Sequence, residues 1–452
     1  MTGYLDALAS FVAATSWERI PEEARKAGSL ILLDTLGGML AGSTLAESEG
    51  YARLATGSSP ARPCTLVGFA EGAGARWAAM VNATTACSFE TDEGNRFGGG
   101  HPAIHVVPAA LARAEELHAA GRELLTSIVV AYEVMSRLAA GATPRWPVHS
   151  HGTHGSPGAA VASVLYQRPD AARIRSIINL AACMSPATTW QACFDGGTVR
   201  NLWPGLSSFL GMLAVELEPI GYSGSNDGPA DVFGAILGGG DYNPERVLDG
   251  LGEEWRVTRN YFKLHFACAY THPSLDAIAT LLERRPFAAE EVEGITVRGP
   301  KVATYLSGFT PTNMLAAKFS IPYALAAAIV RRSTGVESFG DGARADPEVS
   351  TLAARITVVA DPAREPEGFG DRGRYLVTVS LRDGATQTEE VGVARGDAAN
   401  PVPDELVIQK FRGLAGMRLA PGQVAQIVET VLGIEAIADV AGLGAMLRTR
   451  PS

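Results

Sequence analysis

The sequence predicts a mainly α-helical protein in which a large all-helical domain, built from both chain ends, carries a smaller α+β domain inserted between them. Three observations predict this fold class. Apolar residues recur at helical spacing as far as about residue 260, β-branched runs replace them in the middle of the chain, and helical spacing returns after Pro403. The 452 residues, 46% of them hydrophobic, suffice for about two or three folding units. We expect a helical domain over 1–262 and 397–452 and the inserted domain over 263–396.

The first part of the chain predicts a series of helices rich in small residues. Pro21 and the two acidic residues after it are typical of a helix start, and we expect that helix over residues 22–38, ending at a Gly-Gly pair. Further helices are expected over 108–121, starting at a proline, and over 124–141. Because small side chains dominate, these helices are expected to pack closely.

The middle of the chain predicts strands with some helix. Four segments are β-branched or alternate in polarity, as strands do: 295–298, 355–360, 375–381 and 386–393. The last two flank Arg382-Asp383-Gly384, which predicts a hairpin turn. A helix is expected over 320–331, and a loop over 335–347, where Gly, Asp and Pro are frequent.

Composition and charge exclude several classes of function. The formal net charge is −10 and no long basic stripe occurs, which argues against binding to nucleic acid or to an anionic membrane surface. No uncharged run reaches the roughly 20 apolar residues of a membrane-spanning helix. The N-terminus lacks the basic and apolar segments of a signal peptide, and the five cysteines are scattered. We therefore expect a cytoplasmic protein.

A Gly-rich acidic segment is the first candidate functional feature. Residues 90–102 contain three carboxylates, Arg96, three adjacent glycines and His101. Adjacent glycines would allow the backbone to approach a ligand closely. The alternative is a solvated loop whose last proline starts the next helix.

A second segment contains His149, His151 and His154. The spacing resembles the ligand run of metallo-β-lactamase-like hydrolases, in which three imidazoles bind zinc. Thr153 stands where that family has Asp, and the segment leads directly into a small-residue helix rather than following a strand. A zinc hydrolase therefore remains the alternative from another enzyme class, and a polar loop with hydrogen-bonded histidines remains the structural alternative.

The third segment places Lys263, His265 and His272 just before a predicted helix with Ser274 as its N-cap. A cation and two imidazoles near a helix N-terminus favour an anion site. A non-catalytic helical binding protein would account for the Ala- and Leu-rich helices, but it would not explain why scarce histidines gather with Lys263 and Arg200.

Taken together, these segments resemble the MmgE/PrpD family over nearly the whole chain. The residues that carry the resemblance are Glu90-Thr-Asp-Glu-Gly94, Gly100-His-Pro102, His149 with Thr153, Gly155, Gly158, Ala159 and Ala160, Arg200-Asn-Leu-Trp-Pro-Gly205, Lys263 to Cys268, His272 with Asp276-Ala277, and Lys410-Phe411. Members of that family dehydrate 2-methylcitrate, decarboxylate cis-aconitate or epimerise iminodisuccinate.

The resemblance implies an all-helical domain covered by an α+β lid domain, a homodimer, and a site between domain and lid that uses no cofactor and no metal. It implies a catalytic set of His101, His149, Lys263, Arg200 and Tyr323. It implies substrate contacts from a further set of residues: Glu90, Asp92, Gly94, Arg96, His265, Cys268 and His272. The implied substrate is a small anionic carboxylic acid.

The shared chemistry is proton transfer at a carbon next to a carboxylate. Such a reaction needs a base that works near neutral pH and fixed positive charge for the enediolate-like negative charge that develops. Histidine suits the first role, and Arg200 and Lys263 suit the second. We expect a 2-methylcitrate dehydratase-like hydro-lyase acting on a di- or tricarboxylate, with an iminodisuccinate-like epimerase or a cis-aconitate-like decarboxylase as alternatives.

Overall fold

A computed structural model describes residues 3–98 and 100–449, so Gly99 of the predicted Gly-rich loop lies outside the described residues. Over these residues the protein is mainly α-helical, as the sequence predicts. The helices are α1 (Gly3–Ala14), α2 (Glu22–Gly42), α3 (Ala46–Gly57), α4 (Ala75–Cys87), α5 (Ala103–Leu117), α6 (Gly121–Ala140), α7 (Gly155–Val164), α8 (Ala171–Cys183), α9 (Trp190–Asp195), α10 (Val199–Leu217), α11 (Pro244–Leu248), α12 (His272–Arg284), α13 (Met314–Lys318), α14 (Ile321–Arg331), α15 (Asp341–Arg344), α16 (Pro347–Ala353), α17 (Asp404–Ala415), α18 (Pro421–Leu432) and α19 (Ala441–Met446).

The strands form one larger sheet and three small ones. They are β1 (Cys64–Thr65), β2 (Gly72–Ala73), β3 (Gly94–Asn95), β4 (Ala142–Pro144), β5 (Gly238–Tyr242), β6 (Asn260–Tyr261), β7 (Val292–Gly299), β8 (Ile356–Ala360), β9 (Tyr375–Leu381) and β10 (Thr386–Val391). The four-stranded sheet has the order β10-β9-β7-β8, with β7 and β8 parallel and the other pairs antiparallel. The four predicted strands and the hairpin between β9 and β10 are confirmed.

Two hydrophobic cores organise the molecule. The larger core contains buried side chains from α1 to α8 together with side chains from α17 and α18, so the two ends of the chain share it. The smaller core lies between the four-stranded sheet and helices α12 and α14. The boundaries at 262/263 and 396/397 stay predictions.

Helix boundaries differ from the sequence-based expectation at three places. Helix α2 continues past its Gly-Gly pair to Gly42. Gly38 and Gly42 serve packing rather than helix termination, since α4 lies against them and a side chain there would overlap the backbone of Ala86 or Thr85. Helix α5 begins at Ala103 and keeps Pro108 inside, so the start predicted at Pro108 is wrong. The loop predicted over 335–347 contains short helical turns instead.

Within the described residues, no single helix is both long and apolar enough to cross a membrane. Helices α2 and α3 meet that criterion only as a pair, and they are bent by 100° relative to each other.

Candidate functional site

A crevice of about 340 Å³ lies between the two cores. Residues before 262 line one part of it, among them His101, His149 and Arg200, and residues of the 268–372 segment line the rest. A larger groove of about 500 Å³ near Trp17 has no histidine or cysteine in its lining. We therefore place the candidate site in the smaller crevice.

A short strand pairing brings distant segments together at this crevice. Strands β3 and β6 pair antiparallel, with Gly94 opposite Tyr261, and this joins the acidic segment to the segment that contains Lys263. Gly94 itself makes room, because a Cβ at this position would overlap the ring of Tyr261, which lines the crevice. The contribution of Gly94 is therefore close packing rather than a polar contact.

His101 is oriented by a buried carboxylate. Its Nδ1 lies 2.6 Å from Oδ2 of Asp92 and 2.7 Å from the carbonyl oxygen of Glu93. Both are acceptors, so the hydrogen bonds assign the proton to Nδ1 and leave Nε2 as the acceptor nitrogen on a ring that lines the crevice. Burial opposes ionisation of Asp92, but Lys263 and His101 hold its pKa well below the usual range.

His149 receives the opposite proton arrangement. Its Nδ1 accepts a hydrogen bond of 2.9 Å from the backbone N–H of His151, so a neutral ring carries its proton on Nε2. Burial, and then the positive charge of Arg200, lower the pKa of His149 well below its usual value. Its carbonyl oxygen accepts from the hydroxyls of Thr153 and Thr188, which fix the segment just before α7. His149 is thus a neutral hydrogen-bond donor in the crevice.

His105 links the two histidine segments. Its Nδ1 donates to the carbonyl oxygen of His101 at 2.7 Å, and its Nε2 accepts from the backbone N–H of Gly152 at 3.0 Å. Burial lowers the pKa of His105 to about 3, so it stays neutral and keeps this arrangement at ordinary pH.

Lys263 and Arg200 each have a carboxylate partner within the protein, and their predicted catalytic roles stay predictions. Lys263 is fully buried, and its Nζ lies 3.3 Å from Asp92 and 3.5 Å from Glu90. Arg200 lines the crevice but forms a close ion pair with Glu90. Burial would lower the pKa of the Lys263 ammonium, but Asp92 and then Glu90 raise it. Both cations therefore neutralise the acidic segment.

Three further predicted residues do not line this crevice. Tyr323 is buried in the smaller core, where its hydroxyl donates to the carbonyl oxygen of Ser338 at 2.8 Å. His265 lies 3.0 Å from Asp276, and His272 lies 3.1 Å from the carbonyl oxygen of Ala267. None of the three lines the crevice, although His272 lines a smaller pocket that shares Tyr261 and Arg372 with it, and their substrate or catalytic contacts stay predictions.

Of the remaining predicted residues, some line the crevice and one lies behind its lining. Glu90, Arg96 and Cys268 line it, and Arg96 forms an ion pair of 2.8 Å with Asp397. Burial raises the pKa of the Cys268 thiol to about 12, so the sulfur is not a nucleophile at ordinary pH. Asp92 lies behind His101 and does not itself line the crevice.

The three-histidine zinc site is not formed. His154 is buried with its ring 4.8 Å from the ring of Phe233, and neither of its nitrogens has a hydrogen-bond partner. In the described chain, the one group with metal-ligand spacing is Asp92, His101 and His151. The ammonium of Lys263 lies 3.3 Å from Asp92, where its charge opposes a second cation. This arrangement does not support the zinc-hydrolase alternative, which used His149, His151 and His154 as ligands.

Both parts of the chain match one family. Residues 6–244 match the MmgE/PrpD N-terminal domain, and residues 265–434 match the MmgE/PrpD C-terminal domain. The chain belongs to the MmgE/PrpD family. The resemblance drawn from the motifs is thereby confirmed.

Curated relatives of this MmgE/PrpD protein cover most of its length. It is 24% identical to a cis-aconitate decarboxylase of Aspergillus terreus, over 98% of this chain and 95% of the relative. It is 26% identical to the cis-aconitate decarboxylase-like protein oryM of Aspergillus oryzae, over 97% and 96%. It is also 26% identical to a cis-aconitate decarboxylase of Mus musculus, over 82% and 78%.

Several residues that line the crevice of this MmgE/PrpD protein were not predicted from the sequence. Arg372 lines it and donates to the hydroxyl of Tyr261 at 3.2 Å. In the sequence, the feature that points to Arg372 is the Gly-rich charged run around it. In the structure, Gly370 and Gly373 of this run have positive φ. Trp146 and Trp190 also line the crevice, and Trp146 could have been noticed from its position three residues before His149.

Proposed function

We propose that this protein is a lyase that acts on a small carboxylic acid by proton transfer at a carbon next to the carboxylate. The observation that carries the proposal is the pair of imidazoles in one crevice, His101 with a free Nε2 and His149 with an Nε2–H. The first can accept a proton and the second can donate a hydrogen bond to the negative charge that develops, which is what carbon-acid chemistry requires.

In a dehydration, His101 would take the α proton through Nε2, and the Asp92 carboxylate would stabilise the imidazolium that forms. His149 would donate a hydrogen bond to the departing hydroxyl through Nε2–H, and the imidazolium of His101 would supply the proton with which that group leaves as water. Arg372, which has no carboxylate within 4 Å in the described chain, would bind the substrate carboxylate. General-base catalysis of this kind contributes about 10²–10⁴ in rate.

Decarboxylation is the second candidate reaction. The names of the Aspergillus terreus, Aspergillus oryzae and Mus musculus relatives favour it, whereas the sequence motifs led to an expectation of dehydration. Loss of CO₂ leaves the same kind of enediolate-like charge beside the carboxylate, and His101, which would enter this reaction as the imidazolium paired with Asp92, would then deliver the proton to carbon. Epimerisation needs the same acid and base and differs in having no leaving group.

The inserted segment is proposed to act as a lid domain. The separate hydrophobic core of this segment, and the crevice between that core and the larger one, support the proposal. A homodimer and a cytoplasmic location remain predictions.

The test is incubation of the purified protein in D₂O with citrate, 2-methylcitrate, cis-aconitate and aspartate-derived acids, followed by NMR. We expect deuterium at the carbon next to a carboxylate in at least one acid. An alkene product would indicate dehydration, CO₂ release would indicate decarboxylation, and exchange without net loss would indicate epimerisation. A protein that exchanges no proton in any of these acids would contradict the proposal.

A further inference from the structure

An aromatic wall forms part of the crevice beside the catalytic histidines. The ring of Trp190 lies 4.3 Å from the ring of His149, centroid to centroid. Trp146 lies nearly parallel to Trp190, at 6.2 Å and 17°, and stacks on Tyr305 at 4.1 Å and 18°. Phe319 lies 6.0 Å from Trp190. The wall therefore runs from the proposed proton-transfer site to the surface.

The outer end of this wall is open to solvent. Trp146 is 49% exposed and Tyr305 is 37% exposed, although both carry large flat apolar surfaces. Exposed aromatic stacks at the entrance of a concave site are typical of a surface that a ligand covers. Trp146 follows β4 and lines the crevice, whereas Tyr305 follows β7 of the four-stranded sheet, so the stack joins two segments that are distant along the chain.

Most charges of the crevice are matched within the protein, and the carboxylate of Asp371, which also lines it, accepts from the backbone N–H groups of residues 367, 372 and 373. Glu90 pairs with Arg200 and Lys263, and Arg96 pairs with Asp397. In the described chain, Arg372 is the one lining guanidinium without a carboxylate partner. An anion that is buried without a partner is strongly destabilised. The crevice is therefore suited to few carboxylates, not to a densely charged tricarboxylate.

We infer that the preferred substrate is a mono- or dicarboxylate with a flat apolar substituent, an alkenyl or aryl group, that lies along Trp190 and Trp146. This inference rests on the proposed function, because it assumes that the same crevice binds the acid that reacts. Arg372 takes a carboxylate, the reacting carbon lies between His101 and His149, and the substituent extends toward Tyr305.

The test compares three acids by isothermal titration calorimetry: itaconate, benzylidenesuccinate and cis-aconitate. The first two carry the same two carboxylates and differ by a phenyl group, and the third adds a carboxylate instead. We expect benzylidenesuccinate to bind about tenfold tighter than itaconate, because aromatic contact adds about 1.4 kcal/mol. We expect cis-aconitate to bind more weakly than benzylidenesuccinate.

Two variants test whether the preference for the phenyl group comes from the aromatic wall. In Trp146→Ala, the ratio of the itaconate and benzylidenesuccinate affinities should fall toward one. In Phe309→Ala, which removes an exposed aromatic residue outside the crevice lining, the ratio should stay at its wild-type value. Equal binding of the two acids, tightest binding of cis-aconitate, or a phenyl preference that survives in Trp146→Ala would overturn the inference.

The two experiments distinguish a failure of the proposed reaction from a failure of the inferred substrate class. Deuterium exchange on carboxylic acids without a phenyl preference overturns only the inferred substrate class. A phenyl preference that depends on Trp146, without proton exchange on any of the acids tested, supports the aromatic wall as a binding surface and overturns the proposed reaction.

Discussion

At the scale of single residues, two histidines of the same intrinsic chemistry receive different proton arrangements from their neighbours. The carboxylate of Asp92 and the carbonyl of Glu93 both accept from Nδ1 of His101, whereas a backbone N–H donates to Nδ1 of His149. The first ring can therefore act as a base through Nε2, and the second can act as a donor. This asymmetry is the structural basis of the proposed acid and base roles.

The variant Asp92→Asn tests this asymmetry. Its amide can donate to Nδ1 of His101, which would move the ring proton to Nε2 and remove the base. We expect the exchange rate to fall by about 10²–10⁴ and ¹⁵N NMR of labelled histidine to show the changed tautomer. The control is Asp439→Asn, since Asp439 pairs with the exposed His118. An unchanged rate in Asp92→Asn would contradict the assigned role.

His154 supplies a prediction about pH. Burial lowers its pKa from 6.5 to about 4, so the unfolded chain binds the proton first as the pH falls. Above pH 6.5 His154 is neutral in both states, and its burial does not reduce the free energy of unfolding. As the pH falls from 6.5 toward 4, protonation of the unfolded chain lowers that free energy progressively. In His154→Leu, the decrease in unfolding free energy between pH 7.5 and pH 5 should be smaller by about 2 kcal/mol.

Urea denaturation at the two pH values measures this difference, with the exposed His118→Leu as the control. The same variant should keep its activity and respond to chelators as the wild type does, since His154 contacts Phe233 and not the crevice. An equal pH dependence in His154→Leu and wild type would refute the argument from burial.

The sequence placed His101, His149 and Arg200 at the site because their motifs are local. It could not show which cations are free, since that depends on partners far along the chain. Lys263 lies 171 residues from Asp92, with which it pairs, and the sequence does not reveal this partner. The sequence likewise places Tyr323 in α14 but does not show the direction of its side chain, which the smaller core sets.

At the scale of elements, helices α2 and α4 approach closely through glycine. A Cβ at Gly38 would lie 2.6 Å from the carbonyl oxygen of Ala86, and one at Gly42 would overlap the backbone of Thr85. The sequence-based rule that glycine ends a helix gave the wrong boundary here, because these glycines serve packing. The strands were predicted well, since β-branched residues and the Asp383-Gly384 turn signal structure over a few neighbouring residues.

The variant Gly42→Ala should therefore destabilise the protein by about 1–3 kcal/mol or more, because rigid backbone occupies the space that the methyl group needs. The matched control is Gly50→Ala in α3, where the nearest atom to an added Cβ is 3.9 Å away. That substitution should stabilise by about 0.5–1 kcal/mol through helix propensity. Thermal denaturation of both variants gives the comparison, and equal melting temperatures would show that close packing at Gly42 is unimportant.

At the scale of the whole molecule, the C-terminal part of the chain supports the site. Nζ of Lys410 in α17 lies 2.6 Å from Asp34 in α2 and donates to the carbonyl oxygen of Thr91 in the acidic segment. Burial raises the pKa of the Asp34 carboxyl, and Lys410 opposes this shift. One ammonium thus joins both ends of the chain to the segment that orients His101.

Removal of the Lys410 ammonium should destabilise the folded protein. Lys410→Met leaves Asp34 buried without its partner, and we expect the free energy of unfolding to fall by about 3–5 kcal/mol. The double variant Lys410→Met/Asp34→Asn should recover part of that loss. Lys26→Met is the control, since its pair with Asp404 is exposed and should be worth less than about 1 kcal/mol. Equal losses in Lys26→Met and Lys410→Met would count against a supporting role for Lys410.

The most direct test of the central claim is the rate of deuterium incorporation into a reactive acid by His101→Gln. We expect this variant to stay folded and its exchange rate to fall by a factor of about 10²–10⁴, whereas His118→Gln on the surface should exchange at the wild-type rate. Exchange by His101→Gln at the wild-type rate would contradict the claim that this imidazole moves the proton.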